Sequence, residues 1–406
     1  MKKFKNFKKS KKLRRIRKSS KTKKFSKTKK FSKTKKFSKT KKFNKTNGGT
    51  ITKEDFRTKD INDTFFVYVE LCRDYLIKNI ILNDEKCDSN IETLDLLFSG
   101  ANGFALKFIC SNNSIFTIKL IYNNNQVYGQ SENFETFKER ERPNICKEFN
   151  LINIFDSIYV MKSYYYFLHN GEKFIVLNDK CNELISEENS QEILTDPEKK
   201  ITTIDGEEEI AYFTGLVLEN VQYGLNTIIE RTDILSKKNL ITLFLHYLKG
   251  IKHINDKNFI HKDIKINNLM FNYNDGILNG KIIDLGESYY VTDLSDLSKM
   301  QNPFSPSSPE YAPPNDVREL MRLTNISNRT VSITEEEKTI IDEILHKYDL
   351  YSLCKSFKNE LTPEIQSIDF SDFIDTILIP GSKEDFRERL DNNEAIKLTE
   401  DLLTTL

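Results

Sequence analysis

Apolar residues along this chain change their spacing near residue 235, and the change divides the molecule. Before it, runs rich in β-branched and aromatic residues follow one another at LDLLFSG (94–100), FALKFIC (104–110) and SIFTIKLIY (114–122). Polar and Gly-containing turns separate them, which predicts an antiparallel meander. ERPNICKEFNLINIF (141–155) spaces its apolar residues as a helix does, beginning after Pro143. Strand signals return in SIYVMKSYYYFL (157–168), EKFIVL (172–177) and AYFTGLVLENV (211–221), and the acidic run 183–209 reads as an inserted loop. Past residue 235, NLITLFLHYLKGIKHINDKN (239–258) is strongly amphipathic at helical period. Two short strands then flank the turn in NYNDGILNG (272–280), and helix signals follow at 335–358 and 384–405. About thirty residues between SSPEYAPPN (307–315) and KYDLYSLCKSF (347–357) read as an insertion.

A β-rich first half and a helical second half predict an α+β, bilobal architecture with a ligand cleft between the lobes. The expected boundaries are a tail at 1–50, an N-terminal lobe at 51–221 and a helical C-terminal lobe at 222–406. The N-terminal lobe includes a leading segment and the acidic insertion, with its folded part beginning between 51 and 90.

Charge sharpens the picture at the N-terminus. Residues 1–50 carry 24 of the 62 Lys and Arg and none of the 60 Asp and Glu, leaving 38 basic against 60 acidic residues afterwards. A near-neutral average is thus assembled from a cationic arm and an acidic body. The arm repeats KKFSKT at 23–28, 29–34 and 35–40, followed by KKFNKT at 41–46. One Phe per six residues cannot build a core and dense positive charge resists compaction, so a disordered tail is expected. Such a tail suits nucleic acid or an acidic partner through residues 1–46, or a nuclear address; a solubilising role is the alternative.

The six cysteines, at 72, 87, 110, 146, 181 and 354, form no CxxC pair, so neither a metal site nor a disulfide framework is expected. A reducing compartment suits that usage. No apolar run reaches the roughly 20 residues a membrane span needs, and the N-terminus lacks the apolar core of a signal peptide. The chain reads as soluble and intracellular, with nucleus and cytoplasm undecided.

Chemistry concentrates in IHKDIKINNLMF (260–271) and KIIDLG (281–286). Two short strands joined by a turn bring Asp263, Asn268 and Asp284 near one another. The side-chain oxygens of Asn268 and Asp284 suit Mg2+, a hard cation. Asp263 is then free to take the proton of an attacking hydroxyl, and Lys265 to neutralise charge on a transferred phosphoryl group.

At this point the chain resembles the eukaryotic-type serine/threonine protein kinase family. HKDIKINN is similar to that family's catalytic loop, and DLG to its metal-binding DFG. The resemblance implies ATP and Mg2+ (or Mn2+) as cofactors, a protein substrate, Asp263 as base, Lys265 as phosphate contact, and Asn268 and Asp284 as metal ligands. Upstream, FSGANGFALKF resembles the phosphate-covering hairpin through Gly100 and Gly103, and FTIKL supplies Lys119 in a setting similar to V-A-I-K. Glu148 best fits the helix-borne partner of that Lys, with Glu139 and Glu141 as competitors. LVLENVQYG (216–224) resembles the hinge, with Leu218 at the back of the pocket and Glu219 to Val221 along the adenine.

Downstream, SSPEYAPPN resembles the end of the activation segment and KYDLYSLCKSF the helix whose Asp, here Asp349, supports the catalytic loop. The chain departs from the pattern at four places. Phe98 replaces the first glycine, Lys262 the Arg that clamps a phosphorylated segment, and Cys354 a common Gly. Pro314 stands where the Glu that anchors the segment through an ion pair is expected, and Arg389 is similar to the family's late structural Arg. Ser305, Ser307 and Ser308 remain as modification sites. The Lys/Asn/Ile-rich composition is similar to that of kinases of large DNA viruses or AT-rich protists. An active kinase is favoured, with a pseudokinase or scaffold, or a small-molecule phosphotransferase, as the other readings.

Overall fold

Lys119 sits in the third of three strands that pair in chain order. In a computed structural model these are β1 (Ile91–Gly100), β2 (Gly103–Cys110) and β3 (Ile115–Tyr122). The structure describes residues 71–72, 75, 91–100, 103–110, 114–122, 134–177, 191–194, 200–202, 208–210, 212–290, 308–327, 334–361 and 368–406. The expected tail at 1–50, Glu141's side chain, and Ser305 and Ser307 lie outside them.

Helix α1 (Phe134–Ile154) follows, then β4 (Ser163–His169), β5 (Lys173–Leu177), β6 (Gln191–Leu194), β7 (Lys200–Thr202), β8 (Glu208–Ile210) and β9 (Phe213–Glu219). Seven of the strands form one sheet in the order β1-β2-β3-β9-β4-β5-β6, with every neighbouring pair antiparallel. Two expectations change here. The run 183–209 is not only a loop: β6 adds an edge strand, with Ile193 opposite Phe174, and β7 pairs with β8. Helix α1 begins nine residues before Pro143. Phe137, fully buried against Tyr212, anchors the extra turns, so burial outweighs the break that proline favours. Cys146 in this helix is disulfide-bonded, against the thiol expected there, and its partner is not among the described side chains.

The second half is built on α2 (Lys237–Asn255), which follows the two-residue strand β10 (Tyr223–Gly224). Ser236 caps α2 by accepting the Asn239 N–H at 3.2 Å. Leu240, Phe244, Tyr247, Leu248 and Ile251 recur every three or four residues and are all buried, so one stripe faces the core. Each such side chain contributes about 2 kcal/mol of burial.

Strands β11 (Phe259–Ile260) and β13 (Ile277–Ile282) pack on this helix, with β12 (Leu269–Asn274) paired to β13 and β14 (Tyr289–Tyr290) paired to β11. The β12–β13 turn is Asp275-Gly276, both at positive φ, as a tight hairpin requires. Helices α3 (Pro314–Ser327), α4 (Glu335–Ser356) and α5 (Asn392–Thr404) complete the lobe. The thirty residues expected as an insertion are therefore α3 and the first half of α4, which bury Leu320, Leu323, Ile341 and Ile344 together.

Two compensations appear in this lobe. Cys354 on α4 is buried, and the facing residue across it is Gly381; a side chain at 381 would collide with the Cys354 sulfur. The room that a Gly at 354 usually leaves is here provided by 381. Likewise, Arg389 is not left alone. Its guanidinium grips Asp316 in α3, with Nη1 2.6 Å from Oδ2 and Nη2 3.2 Å from Oδ1. Both side chains are wholly buried. Arg389 also lies over the Tyr351 ring and donates to the Lys383 carbonyl. The acid missing at 314 stands two residues later.

Candidate active site

The strand pairing fixes where Lys119 points. It lies opposite Ala105 on β2 and Leu216 on β9, near the middle of the sheet. Its ammonium meets Glu148 at 2.9 and 2.8 Å and Asp284 Oδ1 at 2.9 Å. The helix carboxylate that meets Lys119 is Glu148, buried on α1, whereas Glu139 is exposed. Burial alone would lower the Lys119 pKa, but Glu148 and Asp284 together raise it above the ordinary range. Asp284 is opposed by its own burial yet held below the usual carboxylate range by Lys119. Burial pushes Glu148 up, with Lys119 offsetting part of that. The cation is thus secure beside two carboxylates.

Asp284 takes a left-handed backbone, φ 65°, directly after β13. Lys262 does the same at φ 71°. Non-glycine residues adopt this region at a cost of about 1 kcal/mol, and such strain gathers where geometry serves a site. The second group of residues hangs from that strained loop. Asp349 on α4 accepts the backbone N–H of His261 at 2.7 Å and of Lys262 at 2.9 Å. His261 Nε2 donates to the Ile283 carbonyl at 3.0 Å while Nδ1 accepts the Asp263 N–H. His261 is fully buried, so it ties the loop to the segment after β13 that carries Asp284.

Asp263 is correspondingly fixed. Lys265 Nζ lies 2.7 Å from Asp263 Oδ2, and Asn268 Nδ2 lies 3.0 Å from the same oxygen and 2.8 Å from the Asp263 carbonyl. Ser308 donates to Asp263 Oδ1 at 2.7 Å and accepts from Lys265 at 3.1 Å. Ser308 is buried and its hydroxyl is committed to this cluster, so it is a positioning group rather than an open modification site.

The donor set suits a hard divalent cation. Asn268 spends its nitrogen on Asp263, which presents the amide oxygen on the other side, and Asp284 keeps Oδ2 beside the oxygen that Lys119 uses. The Ile283 N–H donates to the Asn268 carbonyl at 3.0 Å and keeps the two residues in adjoining segments. Among the described residues there is no cluster of three or more His, Cys, Asp or Glu that could hold a metal ion.

The remaining expected residues fall as follows. Gly100 and Gly103 face each other at the end of the β1–β2 hairpin. Leu218 is buried near the end of β9, opposite Thr117 on β3, and Val221 is buried just beyond it. Glu219 spends its N–H on the Lys162 carbonyl and its carboxylate on the buried Lys281. Sequence reasoning missed Asp316, the cluster role of Ser308, and Glu287, whose carboxylate lies 3.9 Å from Lys262 Nζ. An acidic residue in the first turn after SPEYAPP was the available signal for Asp316.

A β-sheet lobe bearing a Lys–Glu pair, joined to a helical lobe bearing Asp, Asn and a second Asp, is the arrangement of the protein kinase class. A family model described as protein kinase domain matches residues 178–396, more than half of the chain, and the chain belongs to that family. The serine/threonine-protein kinase CLA4 of Candida albicans is 29% identical over 132 residues, which is 32% of this chain and 13% of that protein. A second sequence of that name, from a particular strain of the species, matches equally. The chain thus spans only a small part of the length of these curated relatives.

Proposed function

We propose that this protein transfers the γ-phosphoryl group of ATP to serine or threonine hydroxyls of protein substrates. The carrying observation is the pair of linked clusters, Lys119–Glu148–Asp284 and Asp263–Lys265–Asn268, held in adjoining segments by His261 and Ile283. The similarity to a serine/threonine-protein kinase and the Lys265–Asp263 contact support the choice of acceptor.

In this reading Lys119, oriented by Glu148, neutralises charge on the nucleotide phosphates. The β1–β2 hairpin with Gly100 and Gly103 covers them, while Leu218, Glu219 and Val221 border the adenine. Asn268 and Asp284 would hold Mg2+ or Mn2+, which supplies charge neutralisation at the phosphates. Asp263 orients the acceptor hydroxyl and takes its proton, and Lys265 steadies the transferred group. The division at 221/222 separates a nucleotide lobe from a substrate lobe. Residues 1–46 serve as the contact for nucleic acid or an acidic partner, on the strength of their charge.

The test is ATP-dependent labelling of a basic protein with Mg2+ or Mn2+. Asp263→Asn and Asp284→Ala are each expected to lower turnover by about 100-fold or more, with folding retained by circular dichroism. Equal labelling by both variants and the parent would remove the catalytic reading in favour of a pseudokinase or scaffold.

A further inference from the structure

The segment 219–222 links the two lobes, and the β12–β13 hairpin holds its side chains. Glu219 ends β9; its Oε2 accepts the Lys162 N–H at 3.1 Å and lies 3.0 Å from Lys281 Nζ. Its own N–H returns to the Lys162 carbonyl at 2.9 Å. Lys281, on β13, is buried, whereas Glu219 is partly exposed. A buried ammonium is costly without its partner, so this pair holds the Glu219 carboxylate in one place.

Three residues on, Gln222 is tied to β12. Its N–H donates to Asn272 Oδ1 at 2.9 Å and its Nε2 to Asn274 Oδ1 at 2.9 Å. Its Oε1 accepts the Tyr273 N–H at 3.1 Å. Tyr223 and Gly224 then pair with Phe271 and Met270 of the same strand. Because β12 and β13 are paired, with Met270 opposite Lys281, one hairpin grips both ends of the segment. The phosphate end of the site is held separately. Past Lys281, the Ile282 N–H donates to the Tyr159 carbonyl at 2.8 Å and its carbonyl accepts the Met161 N–H at 3.0 Å. Those backbone bonds fix the strand that leads to Asp284 whatever side chain stands at 281.

We infer that Lys281 and Gln222 are positioning residues for the nucleotide, which hold the segment bordering the adenine and so set its affinity. The inference rests on the nucleotide binding proposed above. Without the Lys281 ammonium, Glu219 keeps only the Lys162 backbone contacts, and the segment gains freedom that binding must then remove. Adenine lies away from the transferred phosphoryl group, so its contacts are alike in the ground and transition states. Their loss raises KM and leaves kcat in place.

The experiment titrates the full-length protein, with Mg2+, with an ATP analogue labelled fluorescently on the ribose, and measures KM and kcat for ATP on a basic protein. Lys281→Met is expected to weaken binding and raise KM by about tenfold, with kcat within about twofold. Gln222→Ala, at an exposed position, keeps the backbone bond to Asn272 and is expected to do the same by about threefold. It carries the test by itself where Lys281→Met does not fold. Lys281→Met combined with Glu219→Gln is expected to bind within about twofold of Lys281→Met alone, because both changes act on one contact. Parent affinity in either single variant, or a fall in kcat with KM unchanged, overturns the inference for that residue and leaves the nucleotide reading intact. A combined loss equal to the product of the Lys281→Met and Glu219→Gln losses overturns the route through Glu219. No binding of the analogue by the parent protein overturns both.

Discussion

Asp316 shows how single residues carry the fold of this site. Its carboxyl is raised by burial despite Arg389, so the ion pair offsets only part of the loss of water around it. Removing one partner is a different matter, because a bare guanidinium then remains in the core. Asp316→Ala is expected to cost about 3–5 kcal/mol in urea unfolding, while Asp316→Leu with Arg389→Leu recovers most of it. His246 provides a second readout. Burial, with Lys249 beside it, lowers its pKa from 6.5 to about 4. Between these values the unfolded chain binds a proton that the folded protein refuses. Stability is therefore complete above about pH 6.5 and declines toward pH 4, by about 2 kcal/mol after allowance for partial exposure. His246→Asn, which can still accept the Gly280 N–H, is expected to flatten that decline when unfolding is followed at pH 5 and 7.5. Asp263, Lys265, Asn268 and Asp284 were legible in the chain because two short segments contain them. Glu148 was not decided by letters alone, since four acids share α1 and the letters do not say which of them meets Lys119. Asp316 was hidden because its position moved by two residues relative to the pattern.

At the scale of elements, α1 does more than present Glu148. Its Lys147 donates to the Gly286 carbonyl at 3.3 Å, and Glu287 draws both Lys147 and Lys262. Burial lowers both lysine pKa values, and the carboxylate between them opposes that. Between the helix and the 261–268 loop an exposed carboxylate, Glu287, thus stands 3.9 Å from Lys262 Nζ, a negative charge supplied without phosphate. Phosphatase-treated protein is expected to keep its activity within about twofold, and Glu287→Gln to lower it under the same assay. Loss of activity on dephosphorylation would overturn this view. Most strands and α2 followed from their apolar period. The early start of α1 and the edge strand β6 did not, because a proline masked the buried anchor Phe137 and an acidic composition masked a short pairing segment.

Across the whole molecule, the same requirements are met at moved positions. The acid expected at 314 stands at 316, and the space expected at 354 is made at 381. The bilobal plan was readable because it depends on the order of motifs; these exchanges were not, because they join residues distant in sequence. The Cys354–Gly381 contact also couples two segments far apart in the chain. A side chain at 381 would meet the Cys354 sulfur, so one of the two would have to give way. The sulfur that fills position 354 thus sets the size of the residue its distant neighbour can carry.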